Sequence, residues 1–156
     1  MRHAETEEHA ATGRDEDRSL TERGLTQATA VARGLAALEP GIALVLTSPY
    51  LRARQTAQPA AEALGLSGAR STRALEPGSN PEAVLSALEE LEEESVLLVG
   101  HAPLLGLLLG RLVAPGPDAD IPLSKAGVAC VSLRRGARGG RLEAFLPLKV
   151  SERLSK

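Results

Sequence analysis

The chain has 156 residues, enough for one domain with its own core, and its 43% apolar and 24% charged content are those of an ordinary globular protein. A net charge of −2 supplies no field for nucleic acid or anionic lipid, and the single Cys130 excludes an internal disulfide or a thiolate metal cluster. With no leader pattern at Met1 and no apolar run of the roughly 18 residues that span a membrane, a single soluble, cytoplasmic domain over 1–156 is expected. Tyr50 and Phe145 are the only aromatic residues, so the core must be built from Leu, Val and Ala. Cys130 lies in an apolar run and reads as a small buried residue.

Residues 4–19 are polar and irregular and read as a loop, with His9 a solvated member of it. Leu25, Ala28, Ala32 and Leu35 then recur every three or four positions, which predicts a helix over 22–38 with Thr21 as N-cap and Glu39-Pro40-Gly41 as its stop. The short apolar run 43–47 suits a buried parallel strand. Ser48-Pro49 is expected to open the next helix, Ser as cap and Pro in the first position; Pro59 should end or kink it, and Gly65 closes the segment. A strand is expected over 70–75. Asn80-Pro81 starts a further helix with Leu85, Leu88 and Leu91 facing inward. The acidic run Glu89, Glu90, Glu92, Glu93 and Glu94 reads as a solvated helix end rather than a metal site. Residues 95–99 give the second clear buried strand and 103–113 a helix apolar nearly all round. Two last strands are expected at 127–133 and 142–148, joined by a Gly/Arg-rich turn over 134–141. Strands alternating with helices imply right-handed crossovers and an α/β fold, a three-layer α/β/α sandwich on a mostly parallel sheet. Ligands of such sheets sit at the carboxyl ends of the strands.

At that edge the sequence places Arg2-His3, Ser48-Pro49 with Arg52 and Arg54, and Gly100-His101-Ala102-Pro103. Helix N-termini there offer unpaired N–H groups to a phosphate, Ala102 among them. Arg2 and Arg52 add guanidinium forks that can grip two oxygens. His3 and His101 supply groups able to act as nucleophile or acid at neutral pH.

Taken together, Arg2-His3-Ala4-Glu5, Leu20-Thr21-Glu22-Arg23-Gly24 with Gln27, Ser48-Pro49 through Thr56-Ala57, and Gly100-His101 resemble the histidine phosphatase superfamily. The likeness extends over nearly the whole chain. It is nearest the short bacterial protein phosphohistidine phosphatases, and the length leaves little room for the insertions of the phosphoglycerate mutase branch. The resemblance implies that His3 is the nucleophile and becomes phosphohistidine. It implies that Arg2, Arg52 and His101 hold the phosphoryl oxygens, and that water completes hydrolysis without metal or cofactor. For the leaving-group proton it points to Glu76, with Glu5 as a second candidate. The expected substrate is a phosphorylated protein or a small phosphate ester, met by a monomer or weak dimer.

Family members run through an apolar strand into Arg-His, whereas only Met1 precedes Arg2 here. A start upstream of Met1 is therefore expected, and a chain beginning at Met1 should have a frayed His3 and weak activity. That departure keeps a second reading open, a catalytically weak relative that binds phosphate or a phosphoprotein as a regulatory module. Nucleic-acid binding through Arg134, Arg135, Arg138 and Arg141 is disfavoured, because no aromatic residue interleaves them for stacking.

Overall fold

The computed structural model describes residues 1–114, 119–133 and 139–148. The elements run α1 (Glu22–Leu38), β1 (Leu44–Thr47), α2 (Leu51–Ala63), β2 (Arg70–Ser71), α3 (Pro81–Glu89), β3 (Val96–Val99), α4 (Leu104–Val113), β4 (Val128–Leu133) and β5 (Gly140–Leu146), with short 3-10 turns at Asp15–Asp17 and Arg73–Leu75. β1 lies between β2 and β3 in a parallel sheet, and β4 pairs with β5 antiparallel. The polar turn expected over 134–141 lies largely outside the described residues, as do Arg134, Arg135 and Arg138.

Alternation along the strands sorts the core into two layers. Val45, Leu97 and Val99 face the layer of α1 and α2, where Ala28, Ala32, Ala53, Ala57, Ala60 and Ala61 let the two helices approach closely. Leu46 faces the other layer, packed with Val84 of α3 and Leu104, Leu105, Leu108 and Leu109 of α4. The expected α/β/α sandwich is the observed one. Leu85, Leu88 and Leu91 pack against this second cluster from partly buried positions, while Val84 is the fully buried residue of α3.

Residues 1–3 stitch the two sheets together. Met1 N donates to Leu98 O at 2.7 Å, Gly100 N to Met1 O at 3.1 Å and His3 N to Gly100 O at 2.9 Å. On the opposite side Arg2 N donates to Gly127 O and Ala126 N to His3 O, each at 3.1 Å. The frayed His3 expected from the sequence is not found, because hydrogen bonds from both neighbours satisfy this short backbone.

Local differences from the sequence reading have local causes. α2 starts at Leu51 with Tyr50 as N-cap, and the Ser48 hydroxyl accepts from Tyr50 N, at 3.3 Å, rather than capping the helix. Pro59 neither ends nor breaks α2, whose buried Thr56, Ala57, Ala60 and Ala61 clamp the helix on both sides of the proline. The strand expected over 70–75 stops at Ser71, since the Thr72 side chain accepts from Ala74 N and turns the chain into a 3-10 turn. Cys130 is half-buried, its Sγ donating to Glu39 Oε1 at 3.5 Å.

Candidate active site

The carboxyl end of the parallel sheet gathers His3, Ser48, Arg52 and His101. His3, Arg52 and His101 are only 8%, 6% and 3% exposed. The two imidazoles stand with ring centroids 5.1 Å apart, and Tyr50 meets His101 edge-on at 5.4 Å. The Arg52 guanidinium lies 4.9 Å from the Tyr50 ring centre, so the ring spaces cation and imidazole.

His3 Nδ1 sits 2.8 Å from Ala4 O. A carbonyl only accepts, so Nδ1 carries the proton and Nε2 is left with its lone pair. Burial pushes the His3 imidazole down to about 4, opposed by the Ala4 hydrogen bond and assisted by the charges of Arg52, Arg2 and Lys125. His3 is therefore neutral at physiological pH, as a nitrogen nucleophile must be. Its backbone is held from behind: Ala4 N donates to Thr56 Oγ1 at 3.0 Å, and Thr56 Oγ1 donates to Arg52 O at 2.7 Å. One hydroxyl thus ties the loop after His3 to the helix that carries Arg52.

His101 Nε2 is 2.9 Å from Ser48 Oγ. Burial holds this imidazole at about 3, with His3, Arg52 and Arg2 pushing the same way and Asp15 opposing. Arg2 Nη1 donates to Leu123 O at 2.9 Å, which fixes its fork beside the sheet end. Among the described residues, the buried side-chain nitrogens and oxygens without a partner are Arg2 Nε and His101 Nδ1. Both belong to this site. Leaving such groups dry and unpaired costs about 1–3 kcal/mol each; an oxyanion can accept from Arg2 Nε–H, and from His101 Nδ1 in the tautomer in which the Ser48 hydroxyl donates to Nε2.

The loop 5–21 forms the wall beyond His3. Glu5 N donates to Gln27 Oε1 and Leu20 N to Gln55 Oε1, so the two glutamines fasten the loop to α1 and α2. A Cβ at Gly24 would run into the Glu5 main-chain carbonyl, which restricts the position after Arg23 to glycine. The Glu5 carboxylate is engaged on the far side, by Thr21 Oγ1 at 3.2 Å and Arg23 Nη1 at 3.6 Å. Glu76 is the C-cap residue of the second 3-10 turn and meets Arg73 Nε at 4.0 Å. No hydrogen bond or ion pair among the described residues joins Glu76 to either imidazole. Ala102 sits exposed in the turn before α4, next to His101.

The sequence reading passed over Asp15. Its carboxylate Oδ2 accepts from Arg52 Nη2 at 2.9 Å and its main-chain oxygen from Arg52 Nη1 at 2.7 Å. It also passed over Tyr50 and Lys125. The run from Ser48-Pro49 to Thr56-Ala57 contained Thr56 without revealing that its hydroxyl holds the loop after His3. No group of three or more His, Cys, Asp or Glu side chains among the described residues could hold a metal ion.

Known proteins resemble this chain in sequence and in fold. The family profile described as "Histidine phosphatase superfamily (branch 1)" matches residues 1–76. Phosphohistidine phosphatase SixA of Escherichia coli K12 is 33% identical over 143 residues, covering 89% of this chain and 86% of that protein. A solved structure of the protein histidine phosphatase SixA complexed with tungstate superposes with TM-score 0.83 at 30% identity, covering 96% of this chain and 95% of that one. That of a SixA homologue from Agrobacterium tumefaciens gives 0.77 at 28% identity, covering 94% of both chains. The chain belongs to the histidine phosphatase superfamily, in its SixA-like branch, and is a phosphatase.

Proposed function

We propose that this phosphatase hydrolyses phosphohistidine in proteins through a phosphorylated His3. The reading rests on one arrangement: an unprotonated His3 Nε2 in the same site as two buried nitrogens, Arg2 Nε and His101 Nδ1, that lack partners. In the first step the Nε2 lone pair attacks phosphorus while the bond from phosphorus to the substrate's imidazole nitrogen breaks. That electron pair leaves with the imidazole, which takes a proton from solvent. Arg2, Arg52 and His101 hold the charge that accumulates on the three equatorial oxygens. Water then attacks phosphorus, the bond to His3 Nε2 breaks, and orthophosphate leaves with the neutral imidazole restored. No step is routed through a metal.

A phosphoramidate suits the distribution of carboxylates. Among the described residues neither Glu5 nor Glu76 makes a hydrogen bond or ion pair with either imidazole, and Asp15 is held ionised by two arginines. An alcohol leaving group needs a proton donor more than an imidazole does. The 33% identical relative carries the name of a phosphohistidine phosphatase, which supports the same substrate class. The test is phosphate release from a phosphohistidine carrier protein and from p-nitrophenyl phosphate, each with excess chelator. The expected result is turnover of both, faster on the carrier, and a loss of at least about a thousandfold in His3→Ala. Activity that survives His3→Ala, or that requires added Mg²⁺, overturns the mechanism.

A further inference from the structure

Arg52 is the cation most deeply set in the site, yet both of its terminal nitrogens are already engaged. Its Nη1 donates to Asp15 O at 2.7 Å and its Nη2 to Asp15 Oδ2 at 2.9 Å, an end-on grip of the kind a phosphoryl group would receive. The two partners differ in freedom. The Arg52 side chain is 7% exposed, whereas that of Asp15 is 54% exposed on a 3-10 turn that buries none of its residues. Asp15 can therefore move and Arg52 cannot. A second cation is ready to keep the carboxylate: Arg18 Nη1 donates to Asp15 Oδ1 at 2.9 Å. Arg18 is itself pinned, through Nε to Glu7 O at 3.0 Å and Nη2 to Thr6 Oγ1 at 2.8 Å. The neighbouring acids of the turn, Glu16 and Asp17, are engaged by Arg14, each at 3.1 Å.

We propose that the Asp15 carboxylate is a resident anion in the Arg52 fork, exchanged for the phosphoryl group when substrate binds and kept meanwhile by Arg18. This rests on the phosphate-site reading above and goes beyond it by assigning Asp15 a specificity role. Exchange replaces a singly charged carboxylate by a doubly charged phosphoryl group, so Arg52 gains attraction. A singly charged anion offers no such gain and is turned away. After hydrolysis the returning carboxylate competes with orthophosphate and hastens its departure. Burial alone would raise the Asp15 carboxyl, but hydrogen bonds and charge from Arg18 and Arg52 outweigh it and hold the group ionised, as a competitor must be.

The experiment is calorimetric titration of the full chain with inorganic phosphate, and separately with acetate, in wild type, Asp15→Asn, Arg18→Gln and the double variant. Asp15→Asn should bind orthophosphate roughly three- to fivefold more tightly, the scale of one partly exposed ion pair, and should gain measurable acetate binding. Arg18→Gln should weaken orthophosphate in the wild-type background and have a much smaller effect when Asp15 is already Asn. Unchanged or weaker orthophosphate binding in Asp15→Asn, or an Arg18→Gln effect of equal size in both backgrounds, overturns the exchange. Failure of the wild type to bind orthophosphate would instead remove the site reading beneath it.

Discussion

Acid should destabilise this protein at a pH where carboxylates are still ionised, and the two buried imidazoles set the size of the effect. In the folded chain His3 is held at about 4 and His101 at about 3, against an ordinary value of 6.5. Between the folded and unfolded values the unfolded chain binds more protons than the folded one, so stability rises with pH across that window and is lost as acid is added. At about pH 5 both imidazoles are still neutral in the fold, and the loss is set almost entirely by protonation of the unfolded chain. That amounts to about 2 kcal/mol per histidine relative to about pH 7, or ~4 kcal/mol for the pair. The sum holds as long as neither ring charges in the fold, so it does not depend on how the two couple. Against a total of about 5–15 kcal/mol this is a large fraction. The assay is urea unfolding at several pH values in wild type and in a His3→Gln, His101→Gln double variant. Taking the difference cancels contributions common to both proteins, the buried Met1 amine included. Histidine nitrogen chemical shifts followed through the same titration report the folded values directly. Equal pH slopes in the two proteins, or imidazoles titrating near 6.5, would refute the reasoning.

The other predictions concern the scaffold behind the site. Gly24→Ala should lower stability by about 2 kcal/mol or more, because a methyl there meets the Glu5 carbonyl, while Gly41→Ala, which meets nothing within 4 Å, should change it by no more than about 0.5 kcal/mol. Equal effects in thermal melts would sink that account. Thr56→Val keeps the shape but strips the acceptor from the buried Ala4 N, with an expected loss of about 1–3 kcal/mol. The same change should lower kcat for p-nitrophenyl phosphate more than it raises KM, since the hydroxyl positions His3 rather than touching substrate; an unaltered kcat would count against the tie.

What could be read in advance was whatever local chemistry decides. α1 begins and ends where Thr21 and the Pro-Gly stop require, and the Thr21 hydroxyl does accept from Gly24 N, at 2.9 Å. The Asn80 cap of α3 and the two buried parallel strands were legible for the same reason. His3, Arg52 and His101 were legible because each sits at or just beyond a strand end, where the motif and the topology agree. Asp15 was not, since its partner lies 37 residues away and nothing in an acidic loop distinguishes the one carboxylate that turns inward. Thr56 hid its role likewise: its hydroxyl bond to Arg52 O looks local, and only the fold brings Ala4 N to the same atom. The order at His3 was misjudged for a different reason. Counting apolar residues ahead of the motif treats a strand as self-supporting, whereas residues 1–3 take their order from hydrogen bonds on both flanks.

The burial that would make His3 a nucleophile in the proposed mechanism is also costly to fold. A nitrogen nucleophile must be neutral, and desolvation beside Arg2, Arg52 and Lys125 keeps His3 so far below neutrality. The same desolvation leaves Arg2 Nε and His101 Nδ1 unpaired and confines the Arg52 charge to a fork with little water. Asp15 pairs that charge from outside, through a side chain that is 54% exposed. The two orphaned nitrogens have no such internal relief. An oxyanion bound at the proposed site would pair the Arg2 Nε–H, so orthophosphate is expected to raise the thermal unfolding temperature of the chain.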